Sequence, residues 1–115
     1  MTKLALLISQ QEGFGKPDAI PTLRHNPGDL RHSPNSSHPD GPNDIGTIPS
    51  DELGWADLDR QLWLYAKRGL TLRQAIYEFA PPSENDSAAY LQFVIDGFSG
   101  RVNADTALSF VLELE

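Results

Sequence analysis

From Ser50 to the C-terminus the apolar residues of this chain return every three or four positions, a rhythm that commits more than half of it to helix. The stop and start signals between the runs separate the helices. Ser50 is a side-chain cap followed by Asp51 and Glu52, acids placed favourably against the helix dipole. Behind it Trp55, Leu58, Leu62 and Tyr65 form one stripe, and Gly69 ends the run. Thr71 with Gln74 three residues on makes a capping box for a helix to about Phe79, which Pro81-Pro82 stops. Asn85 or Asp86 caps the next helix, with Ala89, Tyr90, Phe93, Val94 and Gly97 on a shared face. Asn103 opens a last helix that turns Ala107, Leu108, Val111 and Leu112 inward. The spacing predicts a common core of Leu4, Ile8, Trp55, Leu58, Leu62, Phe93 and Leu108.

The first half has a different texture. Thr2 caps a helix to Glu12 with Leu4, Leu7, Ile8 and Gln11 on one face, and Gly13 follows where a left-handed residue is wanted. Residues 13–50 then hold most of the Gly, Pro, Asn and Ser and all three histidines. A long irregular stretch in a small domain tends to carry function. Two short strands, at Asp29–His32 and Ile45–Ile48, are expected within it, joined by the polar loop Ser33–Asp44 as a hairpin. The fold class expected is mainly α with a small β lobe (α+β). A lone helix, the hairpin lobe and a bundle of about four helices form one domain over residues 1–115.

Bulk properties remove several function classes. The chain has no cysteine, so neither disulfides nor thiolate metal sites are available to it. No apolar run approaches the length of a membrane span. Leu4–Ile8 is too short for a signal peptide and runs into Gln10-Gln11-Glu12, so no export signal is read there. The expected product is made in the cytoplasm and needs another route to any external target. The net charge of −7, most of it in residues 51–115, argues against nucleic acid as a partner. We expect a monomer without cofactor or metal. His25, His32 and His38 are spaced seven and six apart, which fits no helix face and no common zinc pattern.

Glu12 is the one acid in a costly position. It follows Ile8 by four residues, on the apolar side of its helix, at the C-terminal end where the dipole disfavours negative charge. Both effects favour the protonated carboxyl, the form that donates a proton to a glycosidic oxygen. An exposed last-turn glutamate is the plainer alternative. For Asn26 the alternative to a substrate contact is a turn residue before Pro27, and for Tyr90 a core tyrosine with its hydroxyl satisfied.

Gln11-Glu12-Gly13-Phe14, then Arg24-His25-Asn26-Pro27-Gly28-Asp29-Leu30-Arg31, resembles the opening of small phage-type peptidoglycan hydrolases of the lysozyme-like superfamily. Ile45–Ser50 followed by Gly54-Trp55 and Leu58 resembles the second strand of that family's hairpin and the helix after it. Leu70-Thr71-Leu72, Tyr77, Ala80–Asp86 and Tyr90 resemble its third signature. The resemblance spans residues 10–95 and extends to lytic transglycosylases. It implies a lysozyme-like fold, Glu12 as the catalytic acid, and peptidoglycan as partner, cleaved at β-1,4 glycosidic bonds by muramidase or lytic transglycosylase chemistry. By the same token Asn26, Thr47, Tyr90 and Asn85 are candidate substrate contacts, and Arg24 and Arg31 each either touch the glycan or hold the hairpin. His25 and Asp29 depart from the family, which usually has Asn at both, and the loop Ser33–Asp44 is longer than usual.

No second carboxylate stands out among Asp29, Asp40, Asp44, Glu84 and Asp86. The sequence leans toward a single-acid mechanism, as in the transglycosylases. The competing expectation is a non-catalytic glycan-binding or structural domain of the same fold, for instance a component of a phage-like particle, which the acidic charge favours.

Overall fold

The computed structural model describes residues 1–38, 41 and 44–115. Helix α1, Lys3–Glu12, starts where Thr2 Oγ accepts the Ala5 N–H at 3.0 Å. Thr2 in turn donates from its backbone and its hydroxyl to Asp59, at 3.1 and 2.9 Å, which pins the start of α1 to a neighbouring helix. At the other end Gly13 takes φ 86°, and the Phe14 N–H donates back to the Ser9 carbonyl at 2.9 Å. The sharp stop leaves Glu12 as the last helical residue.

A short helix follows that the apolar rhythm did not announce: α2, Ile20–Leu23, started by Pro21 in its first turn. Four residues are too few to show a period. The expected strands are a correction. Among the described residues there is no strand, only isolated bridges at Ser37–Thr47 and Thr71–Ala107. Asp29 takes a left-handed φ of 53°, which breaks an extended run at its first residue. The carbonyls of Leu30 and Gly46 then turn to the Asn26 side chain, and a single backbone bond, Gly46 N–H to Leu30 O at 2.9 Å, joins the two segments. Asp40 lies outside the described residues.

The second half follows its caps. Helix α3 spans Asp51–Lys67 with Ser50 Oγ accepting from Leu53, and α4 spans Leu72–Phe79 with both bonds of the Thr71–Gln74 capping box made. Helix α5 spans Ser87–Gly97, capped by Asp86. The last helix, α6, covers only Leu108–Leu112. Its expected first turn is extended instead, because residues 104–108 pair with 70–73: Leu72 N–H to Thr106 O, Arg73 N–H to Ala104 O and Leu108 N–H to Leu70 O, each at 2.9 Å. Ala107 is accordingly exposed.

These helices make a compact, mainly helical body. The radius of gyration is 13.5 Å, close to the roughly 13 Å of a folded chain this long. Helix α1 packs against α3, α5 and α6, and α5 against α4. Leu4, Ile8, Leu58, Leu62 and Leu108 are buried in one core with Leu72, Ile76, Val94 and Phe98. Each such side chain contributes roughly 1.5–3 kcal/mol through burial. Trp55 is half-buried at the edge, its ring meeting Phe14 edge-on at 5.3 Å. Phe93 is a second correction, being 37% exposed. The buried face of α5 runs through Ser87, Tyr90, Leu91, Val94 and Phe98, and Phe93 with Ala89 falls on its outer side. Among the described residues no helix is long and apolar enough to cross a membrane.

Candidate active site

The stop at Gly13 delivers the Glu12 carboxyl to the wall of an open cleft of about 520 Å³ between the irregular lobe and the helices. Gly28, Asp29, Leu30, Arg31 and Ile45 form the lobe side. Gln61 and Tyr65 of α3, and the segment from Glu78 to Asn85, form the opposite side.

Tyr90 stands behind Glu12. It is 3% exposed, and its hydroxyl donates to Glu12 Oε2 at 2.7 Å. Burial pushes the Glu12 carboxyl above the ordinary glutamate range; the Tyr90 hydrogen bond opposes that shift, and the Asp29 charge adds to it. Burial, then the neighbouring Glu12, pushes the Tyr90 hydroxyl far up, so it stays a donor at every working pH. Because Oε2 is held as acceptor, the acidic proton belongs on Oε1. The carboxyl is thereby oriented as well as biased toward its protonated form.

Asp29 is the other acid in the cleft. Burial raises it above the ordinary aspartate range, while the guanidinium groups of Arg24 and Arg31 pull it back. Neither Asp44 nor Asp86 lines the cleft. Glu84 does, with its carboxylate 3.4 Å from Arg31 across the opening.

The sequence-based contacts divide. Tyr90 touches Glu12, and Asn85 lines the cleft, its amide 3.4 Å from the Pro81 carbonyl. Asn26 is a correction: it is fully buried, and its amide serves the lobe alone. Its Nδ2 donates to Leu30 O and Gly46 O, both at 2.8 Å, and its Oδ1 accepts from Leu30 N–H at 2.9 Å. No face is left for a sugar. Arg24 likewise serves the lobe, its guanidinium on the Ile45 carbonyl and its own carbonyl on the Ile48 N–H. Thr47 pairs with Ser37 through its backbone. Neither lines the cleft. Gln61 and Tyr65 do and were missed, although their i, i+4 spacing on α3 was legible.

The histidines do not converge. His25 pairs with Asp51 at 2.7 Å, and the His32 and His38 rings meet at a tilt of 51° with centres 4.7 Å apart. Among the described residues no three His, Asp or Glu gather as a metal site requires. Comparison with family models, curated proteins and solved structures finds no match to this chain.

Proposed function

We propose that this protein has a lysozyme-like fold whose irregular lobe stands where that family has its hairpin, and that it cleaves β-1,4 glycosidic bonds of bacterial peptidoglycan with Glu12 as general acid. The observation that carries the proposal is the Glu12–Tyr90 pair. A partly buried carboxyl at a helix end faces a polar cleft, biased toward its protonated form and held by a buried hydroxyl.

In the bond-breaking step Glu12 Oε1 gives its proton to the glycosidic oxygen as the C–O bond to the anomeric carbon breaks. Tyr90 keeps Oε2 turned away and stabilises the carboxylate that forms. Asn85, Gln61 and the Glu84–Arg31 pair line the cleft with polar groups suited to a glycan's hydroxyls and amides.

The test is lysis of purified cell-wall sacculi, followed by turbidity and by release of soluble fragments, with wild type and Glu12→Gln. Wild type is expected to clear the suspension. The near-isosteric variant should lose about 10²–10⁴-fold or more while staying folded, the usual contribution of general acid catalysis. A variant as active as wild type defeats the assignment. Wild-type protein that binds sacculi without releasing fragments assigns the cleft to glycan holding instead.

A further inference from the structure

Asp29 sits in the turn after Asn26-Pro27-Gly28 and is fixed from both sides. Its own N–H donates to the Asn26 carbonyl at 3.0 Å, and the next N–H, of Leu30, donates to Asn26 Oδ1 at 2.9 Å. Its φ is 53°, and the residue lines the same cleft as Glu12. Among the described residues its Oδ1 is the one buried side-chain polar atom with no hydrogen-bond partner. A carboxylate denied donors holds its charge poorly and takes up a proton readily. Arg24 and Arg31 work the other way, favouring the charged form. A carboxyl with raised proton affinity that lines the cleft together with Glu12, with arginines favouring its charged form, has the properties of a general base.

We propose that Asp29 is the second carboxylate of the cleft, the general base that activates a water against the anomeric carbon while Glu12 protonates the leaving oxygen. The inference rests on Glu12 being the acid, and it makes the reaction hydrolysis with inversion. A direct nucleophile has to advance to bonding distance of the anomeric carbon. Asp29 is held in a left-handed turn by its own N–H on the Asn26 carbonyl and by the neighbouring Leu30 N–H on the Asn26 side chain, and in this assignment it acts through water. The atoms balance as follows. The water oxygen bonds to the anomeric carbon and its proton passes to Asp29. The bond to the leaving oxygen breaks, and that oxygen takes the Glu12 proton. The products are a reducing sugar of α configuration and a free 4-hydroxyl, and the two acids reset by exchanging protons with solvent.

The experiment digests purified sacculi with wild type, Asp29→Asn and Glu12→Gln, reading fragments by mass spectrometry and the first-formed anomer by proton NMR. Asn is well tolerated at positive φ, so the Asp29 variant keeps the turn, and circular dichroism checks this. The expected result is hydrated reducing ends, α anomer first, from wild type, with both variants reduced about 10²–10⁴-fold. Fragments lighter by one water, as an intramolecular displacement gives, overturn the role of Asp29 and leave Glu12 as acid. First-formed β anomer, or near wild-type hydrolysis by Asp29→Asn with Glu12→Gln inactive, does the same. Absence of cleavage by wild type, or full activity in Glu12→Gln, overturns the Glu12 assignment and this inference with it.

Discussion

Replacing Asn26 by Ala tests the claim that one amide holds the irregular lobe together. The substitution removes three hydrogen bonds of 2.8, 2.8 and 2.9 Å from a fully buried site. Each such bond contributes about 0.5–1.5 kcal/mol net, so the direct loss is about 2–4 kcal/mol. An unfolding entropy of about 2.1 cal/mol/K per residue over 115 residues makes 1 kcal/mol worth roughly 4 °C. Thermal denaturation followed by circular dichroism should therefore show a midpoint lower by roughly 8–16 °C. Asn26→Asp separates amide donation from simple packing. It keeps an acceptor for Leu30 N–H but sets a second oxygen against the Leu30 and Gly46 carbonyls. At neutral pH it should be at least as damaging as Ala, and it should recover part of the loss in acid, where a protonated oxygen donates again. A midpoint within about 3 °C of wild type for Asn26→Ala, or Asp tolerated better than Ala at neutral pH, refutes the reasoning.

Tyr90→Phe removes the donor to Glu12 Oε2, so kcat on sacculi should fall about 3–10-fold, and the high-pH limb of the pH–rate profile should move upward because a contact favouring the charged form is gone. Glu12→Gln should raise the unfolding midpoint at neutral pH. The folded-state acidity of Glu12 is shifted above the ordinary 4.5, so its ionisation destabilises the fold as pH rises past that value. Below about pH 4 the two proteins should melt nearer together, and a Gln variant less stable at every pH contradicts the shift. Gly54→Ala would drive a Cβ into the His25 carbonyl oxygen and to 2.7 Å from Pro27 Cδ, so a loss of about 1–3 kcal/mol is expected in urea unfolding.

The helices whose ends carry side-chain caps were legible. Thr2 with Gly13, Ser50, Thr71 with Gln74, and Asp86 all act where the sequence put them, because capping is decided within four residues. Features set by distant partners were not. Residues 104–108 look helical locally, yet the free first N–H groups of α4, at Leu72 and Arg73, and the Leu70 carbonyl just before it recruit their backbone. Asp29–His32 alternates like a strand, but its carbonyls go to an amide and its first residue is left-handed. In the cleft, Glu12 carried a signal of its own, an acid on an apolar face. Asp29 stood out only as an acid where the resembling family usually has Asn, because its significance lies in a missing donor and in proximity to Glu12 across 17 positions of chain.

Asp57 gives the lobe an unexpected practical property. This buried carboxylate of α3 accepts from Ser33 Oγ at 2.6 Å, from Asn35 N–H at 3.0 Å and from Asn35 Nδ2 at 2.7 Å. Just beyond it, Ser37 and Thr47 close on each other through backbone bonds of 2.8 and 2.7 Å, and Gly46 is held to the cleft wall by Asn26. The chain is therefore clamped on both sides before it reaches Gly41. Extra residues introduced at Gly41 lengthen a loop that is already closed at its base, and each doubling of such a loop costs only about 0.6 kcal/mol. Gly41 is therefore a position for a foreign peptide, an epitope or a wall-targeting sequence, inserted beyond the bonds that close the chain at Ser37 and Thr47.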